Sequence, residues 1–141
     1  LANRDIIQSF RTSHSPTAYV PFPAIQKAAL ATLPGPQDIL ESNRREYRAR
    51  RDALCGGLRK IGWNVPDCDS TMFVWFPLPA GRRNDEEFVF ELLDKTGVIG
   101  VPGSSFGEMG KGFIRFALVQ PVNELTRAVD KIAQSGLLSH Q

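Results

Sequence analysis

The spacing of apolar positions divides the chain near residue 62. Before it the spacing is helical; after it short β-type runs alternate with helices. Residues 4–10 suit a short helix or a loop, and the polar stretch 12–17 is rich in turn formers. Pro21 and Pro23 hold the backbone extended ahead of an Ala-rich helix over 24–33, which Pro34-Gly35-Pro36 terminates. Leu40, Tyr47, Leu54 and Ile61 recur every seven residues, with Leu58 beside Leu54. This predicts one long helix over 37–61 with a narrow apolar stripe. Asp38 places negative charge near its start, and Gly62 suits the left-handed position just past its end.

Beyond Gly62, Trp63–Val65 reads as a short strand, 67–70 as a turn, and Thr71–Leu78 as a strand whose prolines mark an edge or an end. Asn84 as N-cap with Glu87 three residues on opens a helix. Its inner face is Phe88, Leu92 and Leu93, and Gly97 ends it. Val98–Val101 is a third strand, Pro102–Gly107 a tight loop and Phe113–Leu118 a fourth strand. Pro121 suits the first turn of a last helix with Val122, Leu125, Val129 and Ile132 on its apolar side. The fold class is therefore α+β: a small, mainly antiparallel sheet covered by helices, preceded by a long N-terminal helix. Residues 1–36 read as an extension without a core of its own.

Composition adds limits. The chain has 141 residues, 42% hydrophobic and 23% charged, with a net charge of +2. That is the make-up of a globular domain, with too little net charge and too many large aliphatics for disorder. No run is long and apolar enough for a membrane span. The charge is uneven: residues 1–62 carry a net +5 and residues 63–141 a net −3. Most of the excess is Arg44, Arg45, Arg48, Arg50 and Arg51 on the long helix. Glu41, Glu46 and Asp52 interleave with them and only Tyr47 offers an aromatic surface, so the run reads as a solvated helix face and not as a nucleic-acid site. Cys55 and Cys68 lie thirteen apart and far in sequence from His14 and His140, so no zinc site is expected and both are read as reduced thiols of a cytoplasmic protein. His14 is read as a surface residue.

Arg115 is the most informative charge. Along strand 113–118, Ile114, Phe116 and Leu118 share one face, and Phe113, Arg115 and Ala117 the other. A guanidinium amid apolar neighbours calls for an anion. On the strand alone, a structural ion pair, a side chain reaching to water and a carboxylate clamp all remain open. The Pro102–Gly107 loop is either an ordinary turn or one that faces a pocket; it has no phosphate-loop pattern.

Several segments together resemble a known family: PFPAIQKAALATLPGPQ at 21–37, YRARRDALCGGLRKIGW at 47–63, MFVWFPLP at 72–79 and, most specifically, GVIGVPGSSFGEMGKGFIRFAL at 97–118. In order, they are similar to the C-terminal third of class I/II aminotransferases, pyridoxal-phosphate enzymes of the aspartate-aminotransferase fold. The resemblance implies that Arg115 grips the α-carboxylate of an amino-acid or 2-oxo-acid substrate. It also implies a homodimeric parent in which the stretch 13–22 approaches the neighbouring subunit. The family's Schiff-base lysine stands in a Ser-x-Ser-Lys setting, which none of Lys27, Lys60, Lys95, Lys111 and Lys131 has. The expected division is 1–36 as the tail end of a large cofactor-binding domain, 37–62 as a connecting helix and 63–141 as the C-terminal small domain. The absent initiator Met fits a piece of a longer protein, itself expected to be inactive and to hold no cofactor covalently. The competing expectation is a stand-alone α+β amino-acid-binding or regulatory module.

Overall fold

The computed structural model describes residues 3–14 and 21–138. Two compact units divide the chain, residues 1–39 and 40–141. In the first, α1 covers Arg4–His14 and α2 covers Pro23–Thr32, and neither buries a residue. Pro23 begins α2 without a side-chain cap, and Gln26 Nε2 donates to the Pro21 carbonyl at 2.6 Å. Ile6, Phe10, Ile25, Leu30 and Leu33 all stand exposed. His14 ends α1 and stacks on Phe10, so it belongs to a helix end and not to a loop.

The long helix α3, Asp38–Lys60, enters the second unit at Leu40. Its buried residues are Leu54, Cys55 and Leu58, with Tyr47 and Ile61 half-buried, so the apolar stripe faces the core only in the C-terminal half. The helix ends in a Schellman arrangement. The Trp63 N–H donates to Leu58 O at 3.0 Å and the Gly62 N–H to Arg59 O at 3.1 Å, with Gly62 at φ +93°. This cap drives Trp63 straight into the core beside Leu58. Residues 63–65 are consequently not a strand. Arg59 takes the carbonyls that a strand would pair, donating to Val65 O at 2.6 Å and Pro66 O at 2.8 Å.

The sheet has three strands: β1 (Phe73–Pro77), β2 (Val101–Pro102) and β3 (Phe113–Ala117), in the order β1-β3-β2 and antiparallel throughout. The expected strand at 98–101 shrinks to this two-residue pairing. Between β1 and β2 runs α4 (Asp85–Thr96), capped by the Asn84 side chain accepting from the Glu87 N–H at 3.2 Å and ended by left-handed Gly97. After β3 comes α5 (Val122–Gln134). Val74, Phe76, Ile114, Phe116 and Leu118 cover one face of the sheet and join Trp63, Phe88, Leu92, Leu125, Val129 and Ile132 in a single core. Leu93 and Val122 were expected on inner faces but are 42% and 39% exposed. Each lies at the margin of its helix's buried arc, and on α4 Asp85 and Thr96 are buried instead.

Gly56 and Gly57 make a weak point by helix propensity, but their surroundings differ. A Cβ on Gly56 would meet nothing within 4 Å, whereas one on Gly57 would meet the two methyls of Val129 at 2.9 and 3.1 Å. Valine is stiff at χ1 and cannot easily swing aside. Gly56→Ala is therefore expected to stabilise the protein by about 0.5–1 kcal/mol. Gly57→Ala should destabilise by about 1 kcal/mol, overpacking outweighing the helix gain. Urea unfolding midpoints check the pair; equal shifts of the same sign would contradict this account.

Candidate functional site

The second face of the sheet presents the candidate residue Arg115. Alternation along β1 and β3 puts Phe73, Trp75, Phe113 and Arg115 on the side away from the core. Arg115 lies in the central strand, opposite Trp75 on one side and Val101 on the other. It is half-buried. No Asp or Glu among the described residues forms an ion pair with it. Among the described residues, then, no salt bridge holds Arg115. The guanidinium carbon instead sits 4.3 Å from the centre of the Phe73 ring and 4.4 Å from that of Phe106. Both are within cation–π range. Trp75 meets Phe106 edge-on at 5.4 Å and stacks on Phe113 at 5.8 Å.

Phe106 reaches this position because the loop after β2 folds into two successive 3-10 turns, Gly103–Phe106 and Glu108–Gly110. Gly103 and Gly110 approach so closely that a Cβ on either would collide with the backbone of the other. Asp85, at the start of α4, anchors the first turn: its Oδ2 accepts the Ser104 N–H at 2.6 Å. Burial pushes the Asp85 carboxyl up, but hydrogen bonds from the main chain and hydroxyl of Ser104 and from main-chain groups of Asp85 and Gly112 outweigh it and hold the pKa below the ordinary carboxylate value.

The remaining candidates fall elsewhere. The arginine run is only partly solvated: Arg50 donates to the carbonyls of Leu118 and Val119 at 3.0 and 3.2 Å, and Arg51 to that of Cys68 at 3.3 Å. These guanidiniums tie α3 to the chain around the sheet. A cavity of about 760 Å³ between α3 and residues 68–74 is lined by Arg44, Arg48, Tyr47 and Phe73, but not by Arg115. Cys55 and Cys68 are free thiols; burial pushes the Cys55 thiol up to about 12, which leaves it protonated and unreactive. Residues 15–20 of the stretch 13–22, and His140, lie outside the described residues. No group of acidic, His or Cys side chains among the described residues could hold a metal.

The sequence of the chain matches the aminotransferase class I and II family over residues 1–132. The chain belongs to the class I and II aminotransferases. Among curated aminotransferases, it is 41% identical over 110 residues to an LL-diaminopimelate aminotransferase of Dehalococcoides mccartyi, covering 78% of this chain and 28% of the relative. It is 37% identical over 116 residues to one of Halothermothrix orenii, covering 82% and 30%. Among solved aminotransferases, one from Staphylococcus aureus superposes with a TM-score of 0.82 at 26% identity, covering 99% of this chain and 37% of the other. The chain spans about a third of the length of the relatives it matches. The α+β architecture with a small antiparallel sheet is that of an aminotransferase C-terminal domain.

The family's cofactor needs a lysine that can stand free of ion pairs in an enclosed site. All five lysines of this aminotransferase chain are exposed, and Lys95 and Lys111 pair with Glu91 and Glu108 at 2.8 Å. These residues do not fit a covalent anchor for pyridoxal phosphate. Sequence reasoning missed Phe73 and Phe106. Phe73 was readable as an alternate position of a strand beside Arg115; Phe106, in an irregular loop, carried no periodic signal.

Proposed function

We propose that this chain is the C-terminal part of a pyridoxal-phosphate-dependent aminotransferase and that Arg115 holds the α-carboxylate of its amino-acid or 2-oxo-acid substrate. One observation carries the reading: a half-buried guanidinium on the outer sheet face, its carbon 4.3 and 4.4 Å from the centres of two aromatic rings, with no acidic partner among the described residues. Its in-plane N–H groups are the donors that match a carboxylate's two oxygens. When bound, pyridoxal phosphate would supply an electron sink for the bonds of the substrate's α-carbon. Arg115 would fix one end of the substrate, limiting the orientations that its α-carbon can take.

In the whole protein, residues 1–36 would be the tail of a large cofactor-binding domain, 37–62 a connecting helix and 63–141 the small domain. The exposed apolar side chains of α1 and α2 then have a domain to pack on. A cytoplasmic homodimer is the expected assembly, as the family resemblance implies. No helix among the described residues is long and apolar enough to cross a membrane. The names of the curated relatives make LL-diaminopimelate the first amino donor to try.

The full-length protein is expected to transfer an amino group from an amino acid to 2-oxoglutarate. The isolated 141-residue chain should show no binding of L-glutamate or LL-diaminopimelate by calorimetry. Tight binding to the isolated chain, with no turnover by the longer protein, would favour a stand-alone binding module instead.

A further inference from the structure

We infer that Phe106, together with Phe73, is a positioning residue that sets the plane of the Arg115 guanidinium for an incoming carboxylate. The inference rests on the carboxylate-holding role proposed above and adds the device that makes it directional.

An arginine anchored only at its Cα can point its fork over a wide arc. Here Arg115 is rooted in the central strand, and rings lie 4.3 and 4.4 Å from the guanidinium carbon. An aromatic face attracts the cation but offers no lone pair comparable to a carboxylate's, so it orients the group without consuming its N–H donors. With rings packed against it in place of acids, the guanidinium keeps its N–H donors for an anion, and bidentate pairing occurs along its edge.

The two rings are held differently. Phe73 belongs to β1, paired with Ala117 of the central strand. Phe106 belongs to the 3-10 turn and is 51% exposed, an unusual place for a large apolar ring that contributes little to the core. Three features outside the ring keep it over Arg115: the Asp85 carboxylate on the Ser104 N–H, the close pass of Gly103 and Gly110, and the edge-on contact with Trp75. Such a buried anchor for an exposed ring is accounted for if the ring acts on Arg115 and not on folding.

The test uses the full-length enzyme with the best amino donor found among the standard L-amino acids and LL-diaminopimelate. The amine that this donor would become on losing its α-carboxylate serves as a control substrate. Phe106→Leu is expected to raise KM for the amino acid about tenfold, with kcat within about twofold and Tm nearly unchanged because the ring is half-exposed. The control amine should show no such rise, and Phe106→Tyr, which restores a ring face, should return KM close to wild type. An unchanged KM in Phe106→Leu, with Arg115→Gln strongly impaired, overturns the positioning role and leaves the carboxylate role intact. An equal KM rise for the amine also overturns it, since the ring would then be touching another part of the substrate. Wild-type kinetics in Arg115→Gln overturns the carboxylate role itself.

Discussion

Replacing Arg115 by Gln in the full-length enzyme is expected to lower kcat/KM for the amino-acid substrate by roughly a hundred- to a thousand-fold, about 2.7–4 kcal/mol. The size follows from what is removed. A charge-assisted, two-point contact in a partly desolvated place is lost, and the substrate carboxylate is left facing two aromatic rings. No acid among the described residues pairs with Arg115, so the substitution leaves no orphaned internal anion, and the folded state should survive it. Arg115→Lys keeps the charge but not the fork, and an ammonium does not reproduce the planar group that packs on Phe73 and Phe106. It should fall about a hundred-fold, with KM rising steeply and kcat reduced as well. The preference for an amino acid over its decarboxylated amine should shrink in both variants. Steady-state kinetics decides; either variant within a few-fold of wild type would remove Arg115 from substrate binding.

The largest expected effect on stability is at Trp63. Its ring meets Phe76 and Phe88 edge-on at 5.3 and 5.5 Å and Phe116 at 6.2 Å, which joins β1, α4 and β3 at one point. Its indole N–H donates to the Pro77 carbonyl at 2.9 Å, at the end of β1. Trp63→Ala opens a cavity that surrounding rings cannot close and strands that carbonyl, so a loss of about 3–5 kcal/mol is expected. Native domains have about 5–15 kcal/mol in total, so the variant should be close to unfolding at ambient temperature. Trp63→Phe keeps most of the apolar surface and loses the hydrogen bond, for an expected cost of about 1–3 kcal/mol. Chemical denaturation of both variants measures this; a loss below about 1 kcal/mol for Trp63→Ala would mean that the aromatic cluster is not the centre of the core.

The helices and the central strand were legible because their signals are local and periodic. The seven-residue recurrence of Leu40, Tyr47, Leu54 and Ile61, the Asn84 cap and the alternation around Arg115 each map onto an observed element. The failures occurred where a side chain settles what the backbone does. Trp63–Val65 has strand composition, yet Arg59 occupies its carbonyls and the cap at Gly62 aims Trp63 inward. Leu93 fits an apolar stripe by type, but the buried arc of α4 passes through Asp85 and Thr96, whose polar groups find partners in Ser104 and in the Leu92 carbonyl. At the site, Arg115 was identifiable because a charge in an apolar strand is anomalous. Phe106 was not: its proximity to Arg115 depends on two glycines passing each other and on the Asp85 carboxylate, which holds the N–H of Ser104 nineteen residues further along the chain.

The two rings packed on Arg115 also bear on when disorder is lost. A free arginine side chain has about 2 kcal/mol of rotamer entropy to lose on being ordered. Where a site orders its arginine only as the ligand arrives, that cost subtracts from affinity. Here the guanidinium carbon already lies 4.3 and 4.4 Å from the centres of the Phe73 and Phe106 rings. On the proposed role, that loss would be taken at folding, offset in part by the cation–π attraction, and a carboxylate contact at Arg115 would deliver its energy with little subtracted.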